Sequence, residues 1–128
     1  MINPSPTLRE FEVTARSTST FGRIQVDARN HHFIVDGPAY NNCPGEELTP
    51  PEVFLSSIAA CGVELVEVIA KETNVPFTRA SAKITGKVDR DQQARTDVTV
   101  FNSVALDFEI AGMSSAQAAA LVEAFKRR

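Results

Sequence analysis

Two cysteines are the residues of this sequence whose side chains are best suited to covalent chemistry. Cys61 lies inside the apolar segment TPPEVFLSSIAACGVELVEVIAKE, and Cys43 lies in the Gly- and Pro-rich segment before it. Two cysteines do not make a disulfide framework, so in a reducing compartment they are free, catalytic or redox-active thiols. The question at each position is whether the thiol reacts or only fills space.

Cys61 has two interpretations. Helical spacing places it on one stripe with other apolar side chains, namely Phe54, Ile58, Leu65 and Ile69. A free cysteine in such a stripe is commonly a small hydrophobic residue. A reactive thiol is the alternative, because Ala59, Ala60 and Gly62 are small, and a glycine inside a helix costs about 1 kcal/mol relative to alanine. That cost is accepted where a partner helix packs closely or where a small substrate needs a pocket.

A reactive Cys61 requires a cation from another segment. The thiolate is the nucleophilic form, and it is favoured by a nearby cation or by a helix N-terminus. Cys61 lies too far along the predicted helix to gain much from the helix dipole, so an arginine on an early strand is the expected source. Cys43, between Asn42 and Pro44, is either a solvent-facing loop residue without a role or a second thiol. As a second thiol it would attack substrate or resolve an oxidised Cys61.

Metal and cofactor chemistry are not expected. His31 and His32 are adjacent in a predicted strand, so their side chains point to opposite faces. The sequence contains no HxH, HExxH or CxxC spacing, no G-x-G-x-x-G, no P-loop and no G-x-S-x-G. We therefore expect neither a bound metal nor a cofactor.

The elements that would position these residues follow from hydrophobic periodicity. Alternation of apolar and polar residues predicts strands over 8–16, 23–29 and 31–36. A loop over 37–48 is rich in Gly, Pro and Asn and is long enough to be functional. A helix over 49–72 begins with a T-x-x-E capping box and has almost nothing polar in its first half, which predicts that this half is buried.

The remainder of the chain predicts a hairpin and a second helix. Strands over 82–89 and 104–111 flank the polar loop DRDQQARTD, and Ser114 with Gln117 forms a capping box for the last helix. The order β-β-β-α-β-β-α with hairpin connections predicts an α+β fold. The chain is expected to form a single domain over residues 1–128.

Composition excludes several classes of function. The chain of 128 residues has a net charge of −3, with no basic patch beyond its last three residues, so nucleic acid is not an expected partner. No apolar run is expected to reach the roughly 18 residues that a membrane span needs, and the first residues lack the layout of a signal peptide. We expect a cytoplasmic protein with no membrane partner.

The stretch NHHFIVDGP, the following loop and TPPEVFLSSIAAC together resemble the OsmC/Ohr family of thiol-dependent hydroperoxide reductases, specifically its OsmC-like branch. That family typically has a strand ending in D-x-P, a glycine-rich loop, and a helix whose start carries a glutamate and whose interior carries small residues and a cysteine. The resemblance covers nearly the whole order of predicted elements. It implies an intertwined homodimer in which two long central helices are buried between sheets.

The resemblance also implies roles for individual residues. Cys61 falls where the family has its peroxide-attacking cysteine, and Glu52 falls near the glutamate that pairs with an arginine of the N-terminal sheet. Arg23 matches that arginine best, with Arg16 and Arg29 as alternatives. Glu52 has the capping box as an equally good explanation. The second cysteine of the family follows its last helix, so here Cys43 or an external thiol would resolve the oxidised Cys61.

Three hypotheses about function follow. In the first, the protein is an enzyme that reduces hydroperoxides, mainly organic ones, at Cys61 with thiol-based recycling. In the second, it is a non-catalytic dimer that binds a small apolar ligand or senses thiol oxidation. In the third, the fold serves only as a scaffold.

Overall fold

The computed structural model describes residues 6–128. Within this range the chain divides into two compact units, one ending at Glu52 and the other spanning Val53–Arg128. The boundary falls in the first turn of the long helix. The single domain expected over residues 1–128 stays a prediction.

The first unit contains an antiparallel sheet of three strands. These are β1 (Thr14–Ser17), β2 (Arg23–Ala28) and β3 (His31–Asp36), in the order β1-β2-β3. Arg29 and Asn30 join β2 to β3 and both have positive φ, which is the backbone of a two-residue hairpin turn that follows the twist of the strands.

The predicted first strand over 8–16 is wrong in its extent. Only its last residues are paired, and the strand begins at Thr14. Phe11 and Val13, which carry the alternating pattern, are 90% and 62% exposed. Alternation is typical of a strand with one covered face, but this unit provides no layer that covers these side chains.

Helix α1 spans Pro50–Glu72 and ends as its sequence predicts. Asn74 has a positive φ of 56°. The N–H of Asn74 donates to the carbonyl of Lys71, and the N–H of Val75 donates to the carbonyl of Ala70 at 2.9 Å. This pair of bonds is a Schellman motif, which satisfies the last carbonyls of the helix before Pro76.

The second unit adds a hairpin and a helix to α1. Strands β4 (Arg79–Lys87) and β5 (Ser103–Ala111) pair antiparallel, and α2 spans Ser115–Phe125. The predicted capping box is present, because the N–H of Gln117 donates to the Ser114 hydroxyl and the Gln117 side chain accepts from the N–H of Ser114. The α+β class and the predicted order of elements are therefore confirmed.

The core of the second unit lies where the C-terminal half of α1 meets β5 and α2. Its buried members are Val66, Ile69, Ala70 and Leu121. Phe108 and Phe125 pack around them with their rings edge to face, 5.7 Å apart. Burying this apolar surface is the main force holding the unit together.

The predicted burial of the first half of α1 is not met within one chain. Of the 23 residues of α1, the buried ones are Gly62, Val66, Ile69 and Ala70, all in its second half. Phe54 in the first half is 53% exposed. Within its unit, α1 packs against only the β4–β5 hairpin and α2. These elements are too few to cover every face of a helix that is apolar all round.

One helix among the described residues, α1, is long and apolar enough to cross a membrane by length and composition. Its most apolar window of 18 residues has a mean hydropathy of 2.0, so the expectation that no segment reaches this length was wrong. The central helix of a water-soluble protein meets the same criterion, so length and composition alone do not assign α1 to a membrane.

Candidate active site

Cys61 is exposed on the side of α1 that the unit leaves uncovered. It is one turn beyond Ile58 and two turns beyond Phe54, so the three side chains share a face of the helix. Within one chain the thiol is therefore not a filler of the hydrophobic core. Its exposure makes it available for reaction with a small molecule.

An apolar groove of about 510 Å³ begins on the same face. Phe54 and Ile58 form its α1 side, and β5 with the segment before it forms the other through Thr99, Val100, Phe101 and Val104. The rings of Phe54 and Phe101 are stacked with centroids 5.7 Å apart and planes 13° from parallel. The groove is suited to an alkyl or aryl group.

Gly62 explains part of the run of small residues. It is buried, and a Cβ atom at this position would lie 2.8 Å from Cζ of Phe108 and 3.4 Å from Cζ of Phe125. The glycine therefore makes room for two aromatic side chains of its own unit. Neither a partner helix nor a substrate pocket is needed to account for it.

In the first unit, Arg23 forms a two-point ion pair with Asp36. Its Nε donates to Oδ1 and its Nη2 to Oδ2, both at 2.8 Å. The two residues are opposite each other in the β2–β3 register, so the sheet itself brings the side chains together. Nη2 also lies 3.3 Å from Oε1 of Glu46, whose side chain is largely exposed.

Asp36 is a fully buried carboxylate whose oxygens are well satisfied. Besides the two bonds from Arg23, Oδ2 accepts the backbone N–H groups of Glu46 and Glu47 at 3.0 Å each. The hydrogen bonds from Arg23 hold the pKa of Asp36 well below its usual range, and the same bonds raise the pKa of Arg23. In the sequence this aspartate is part of the D-x-P pattern at the end of a predicted strand, and no role was predicted for it.

The alternative arginines occupy other positions in the same unit. Arg16 on β1 is mostly exposed and lies 3.7 Å from Asp27. Arg29 sits in the β2–β3 turn with a positive φ. Of the three arginines, Arg23 is the one whose guanidinium is fixed by a buried partner.

Cys43 occupies a seat formed by two glycines. A Cβ atom on either Gly22 or Gly37 would lie 2.5 Å from its sulfur. The thiol is half-buried there, with the carbonyl oxygen of Asn41 3.6 Å from the sulfur. The seat adjoins the ion pair along the chain, since Gly22 precedes Arg23 and Gly37 follows Asp36.

Glu52 acts as a helix cap. Its Oε1 accepts the backbone N–H of Thr49 at 2.9 Å and the Thr49 hydroxyl at 2.7 Å, and these bonds lower the pKa of Glu52. These bonds account for its place at the start of α1 without catalysis. The carboxylates that pair with Arg23 among residues 6–128 are Asp36 and Glu46.

The candidate residues thus fall into two groups. Arg23, Cys43 and Glu52 belong to the first unit, whereas Cys61 and the apolar groove belong to the second. Among the residues that the structure describes, no group of three or more His, Cys, Asp or Glu side chains could hold a metal ion.

Comparison with known proteins agrees with this architecture. The sequence profile of the OsmC-like protein family matches residues 43–128, a range that contains both cysteines. The chain belongs to the OsmC-like family. No curated protein gives a significant match to the sequence.

Solved structures share the fold at low sequence identity. An OsmC-like protein from Mycoplasma pneumoniae superimposes with a TM-score of 0.79 at 15% identity, over 94% of this chain and 82% of the other. An organic hydroperoxide resistance protein from Elizabethkingia anophelis, with thiocyanate bound, gives 0.76 at 17% identity, over 96% and 85%. An organic hydroperoxide resistance protein OsmC from Legionella pneumophila gives 0.74 at 18% identity, over 94% and 85%.

Proposed function

We propose that this protein reduces organic hydroperoxides at Cys61. The observation that carries the proposal is an exposed thiol in a chain of the OsmC-like family, one helix turn from Ile58, which lines an apolar groove. Two of the structures with the same fold are described as organic hydroperoxide resistance proteins, which supports the same class of reaction.

The reaction begins with attack of the Cys61 thiolate on the outer oxygen of the O–O bond. The S–O bond forms as the O–O bond breaks, so the sulfur is oxidised to a sulfenic acid and the peroxide is reduced. The leaving alkoxide takes a proton and departs as the alcohol. Arg23 is the proposed cation that stabilises the thiolate and orients the peroxide, because guanidinium donors suit an anionic oxygen or sulfur. Glu52 is proposed to support the reaction only indirectly, by capping the start of the helix that carries Cys61.

Recycling requires a second thiol. That thiol attacks the sulfenic sulfur, a disulfide forms, and water leaves. Cys43 is the one other cysteine of the sequence, and an external thiol is the alternative. The seat between Gly22 and Gly37 favours the external thiol, because Cys43 must leave that seat to react.

The apolar lining of the groove supports an organic substrate. A groove of aromatic and aliphatic side chains gains free energy by removing an alkyl or aryl group from water and gains nothing from hydrogen peroxide. Cumene hydroperoxide and alkyl hydroperoxides are therefore the proposed substrate class.

A second candidate function is binding of a small apolar ligand without turnover, and the same groove favours it. A groove that only binds needs no reactive thiol nearby. Replacing Cys61 would then leave ligand affinity unchanged and abolish no reaction.

The protein is further proposed to act as a cytoplasmic homodimer. Apolar side chains that one chain leaves exposed outside the groove, including Phe11, Leu48 and Val88, support a partner that covers them.

The test is peroxide consumption by reduced protein with excess dithiol. Wild type is expected to consume cumene hydroperoxide catalytically and much faster than hydrogen peroxide, and Cys61→Ser is expected to be inactive. Cys43→Ser separates the two recycling routes, because it stays active when an external thiol resolves Cys61. A wild-type rate equal to that of Cys61→Ser would refute the proposed function.

A further inference from the structure

We propose that Asp36 is a positioning residue for the reaction at Cys61, acting by fixing the guanidinium of Arg23. The inference rests on the proposed function and goes beyond it, because it replaces the glutamate at the helix start with a strand aspartate as the partner of the arginine. Asp36 does not touch the reacting atoms in this account.

Geometry carries the proposal. Both oxygens of Asp36 engage one edge of the guanidinium, formed by Nε and Nη2, at 2.8 Å each. Two-point pairing of planar groups fixes orientation as well as distance. Among the residues that the structure describes, Nη1 has no hydrogen-bond partner, so its two N–H groups stay available to an anionic ligand.

The aspartate is itself held in place. It is fully buried and accepts the N–H groups of Glu46 and Glu47, which lie on the loop that follows β3. The N–H of Gly37 donates to the carbonyl of Gly22 at 2.8 Å, which joins the strand ends next to the ion pair. A carboxylate with this many fixed donors cannot swing away from Arg23 without leaving buried groups unpaired.

The other carboxylates fit this role less well. Glu46 makes a single contact with Arg23 at 3.3 Å from a side chain that is 75% exposed, and water can replace it at little cost. Glu52 is engaged with Thr49. Asp36 is thus the carboxylate that sets the direction of the guanidinium.

Arg23 stays the cation of the proposed reaction, and Asp36 contributes by fixing the orientation of its guanidinium. Donors fixed in advance need no reorganisation as negative charge develops on the departing oxygen. A displacement of about 1 Å of such a group lowers a rate by about 100-fold. Replacing Asp36 is therefore expected to slow the oxidation of Cys61 only by displacing Arg23.

The experiment is a double-mutant cycle on the single-turnover oxidation of full-length protein by cumene hydroperoxide. Asp36→Asn is expected to slow the reaction about tenfold or more in the wild-type background, and by less than about twofold when Arg23 is already replaced by Met. Asp27→Asn, which removes a carboxylate beside Arg16 on the same sheet, is the matched control and is expected to react at the wild-type rate.

The outcomes separate the two proposals. Absence of reaction in wild type refutes the proposed function. A reactive wild type in which Asp36→Asn slows both backgrounds equally would show a structural role and overturn the inference. If Asp36→Asn does not fold, Arg23→Lys tests whether orientation of the guanidinium matters, because it keeps the positive charge but loses the two-point pairing with Asp36. A wild-type rate in Arg23→Lys would also overturn it.

Discussion

At the scale of single residues, the two thiols differ in what surrounds them. Cys61 is exposed on an apolar helix face, whereas Cys43 is half-buried against two glycines at which a Cβ atom would collide with its sulfur. Thiol reactions require access. Access therefore favours Cys61 as the first thiol to react.

The buried aspartate makes a prediction about acid stability. The pKa of Asp36 is lowered in the folded protein, while in the unfolded chain it is near the ordinary value of about 4. Below that value the unfolded state binds the proton first, so the stability contributed by Asp36 is present above about pH 4 and is lost as pH falls towards the folded pKa.

Urea unfolding of wild type and Asp36→Asn at several pH values checks this prediction. Asp36→Asn is expected to be clearly less stable than wild type at pH 7, with the difference shrinking as pH falls below about 4. The control Asp27→Asn, whose carboxylate is partly exposed and 3.7 Å from the exposed Arg16, is expected to differ little from wild type at any pH. A difference for Asp36→Asn that is constant with pH would contradict the pairing.

The sequence was sufficient to select candidate residues by their chemistry, but not to predict which side chain each one pairs with. Cys61 and Arg23 were singled out, but Asp36 was assigned no role because a strand-end aspartate in a Gly- and Pro-rich context reads as a turn residue. The β2–β3 register that places it opposite Arg23 is a long-range property that no local pattern contains.

At the scale of elements, Gly62 tests how α1 packs. Alanine would stabilise the helix by about 1 kcal/mol through its higher propensity, but its methyl group would lie 2.8 Å from the ring of Phe108 and overlap it. Overpacking of a core costs about 1–3 kcal/mol. Gly62→Ala is therefore expected to lower the free energy of unfolding by about 1 kcal/mol net, whereas the gain in propensity alone would raise it.

Thermal and urea unfolding measure that change. The matched control is Ala60→Gly on the exposed face of the same helix, where lost propensity alone costs about 1 kcal/mol. If Gly62→Ala proves more stable than wild type, the rings are not packed against the helix as described.

Helix ends were predicted well. The capping box of α2 and the end of α1 at Asn74 depend on residues that are close in sequence, so local chemistry is sufficient. The strand over 8–16 was overestimated because alternation indicates a covered face, and the unit does not supply the cover.

At the scale of the whole molecule, the exposed apolar surface predicts self-association. Phe11 is 90% exposed and does not line the groove on α1. A charge placed on a covered apolar surface would lose its hydration on association. Phe11→Asp is therefore expected to weaken a dimer at least about tenfold, since even 1.4 kcal/mol changes an equilibrium constant by that factor.

Sedimentation of wild type and variant over a range of concentrations checks the dimer. Ala119→Asp, which places the same charge on the exposed side of α2, is the control and is expected to remain dimeric. A wild type that sediments as a monomer at every concentration would refute the proposed dimer.

The fold class was predictable because the order of elements and the family resemblance lead to the same answer, and the family match over residues 43–128 agrees. The exposure of the first half of α1 within one chain was not predictable. Hydropathy shows that a surface is apolar, but it does not show whether the same chain covers it.

The measurement that most directly tests the central claim is the intact mass of reduced protein after brief exposure to one equivalent of cumene hydroperoxide. The account predicts either one added oxygen located at Cys61 or the loss of two hydrogens through a bond between Cys61 and Cys43. Neither change is expected in Cys61→Ser. An unchanged wild-type mass would contradict the account and leave Cys61 as a thiol without peroxide chemistry.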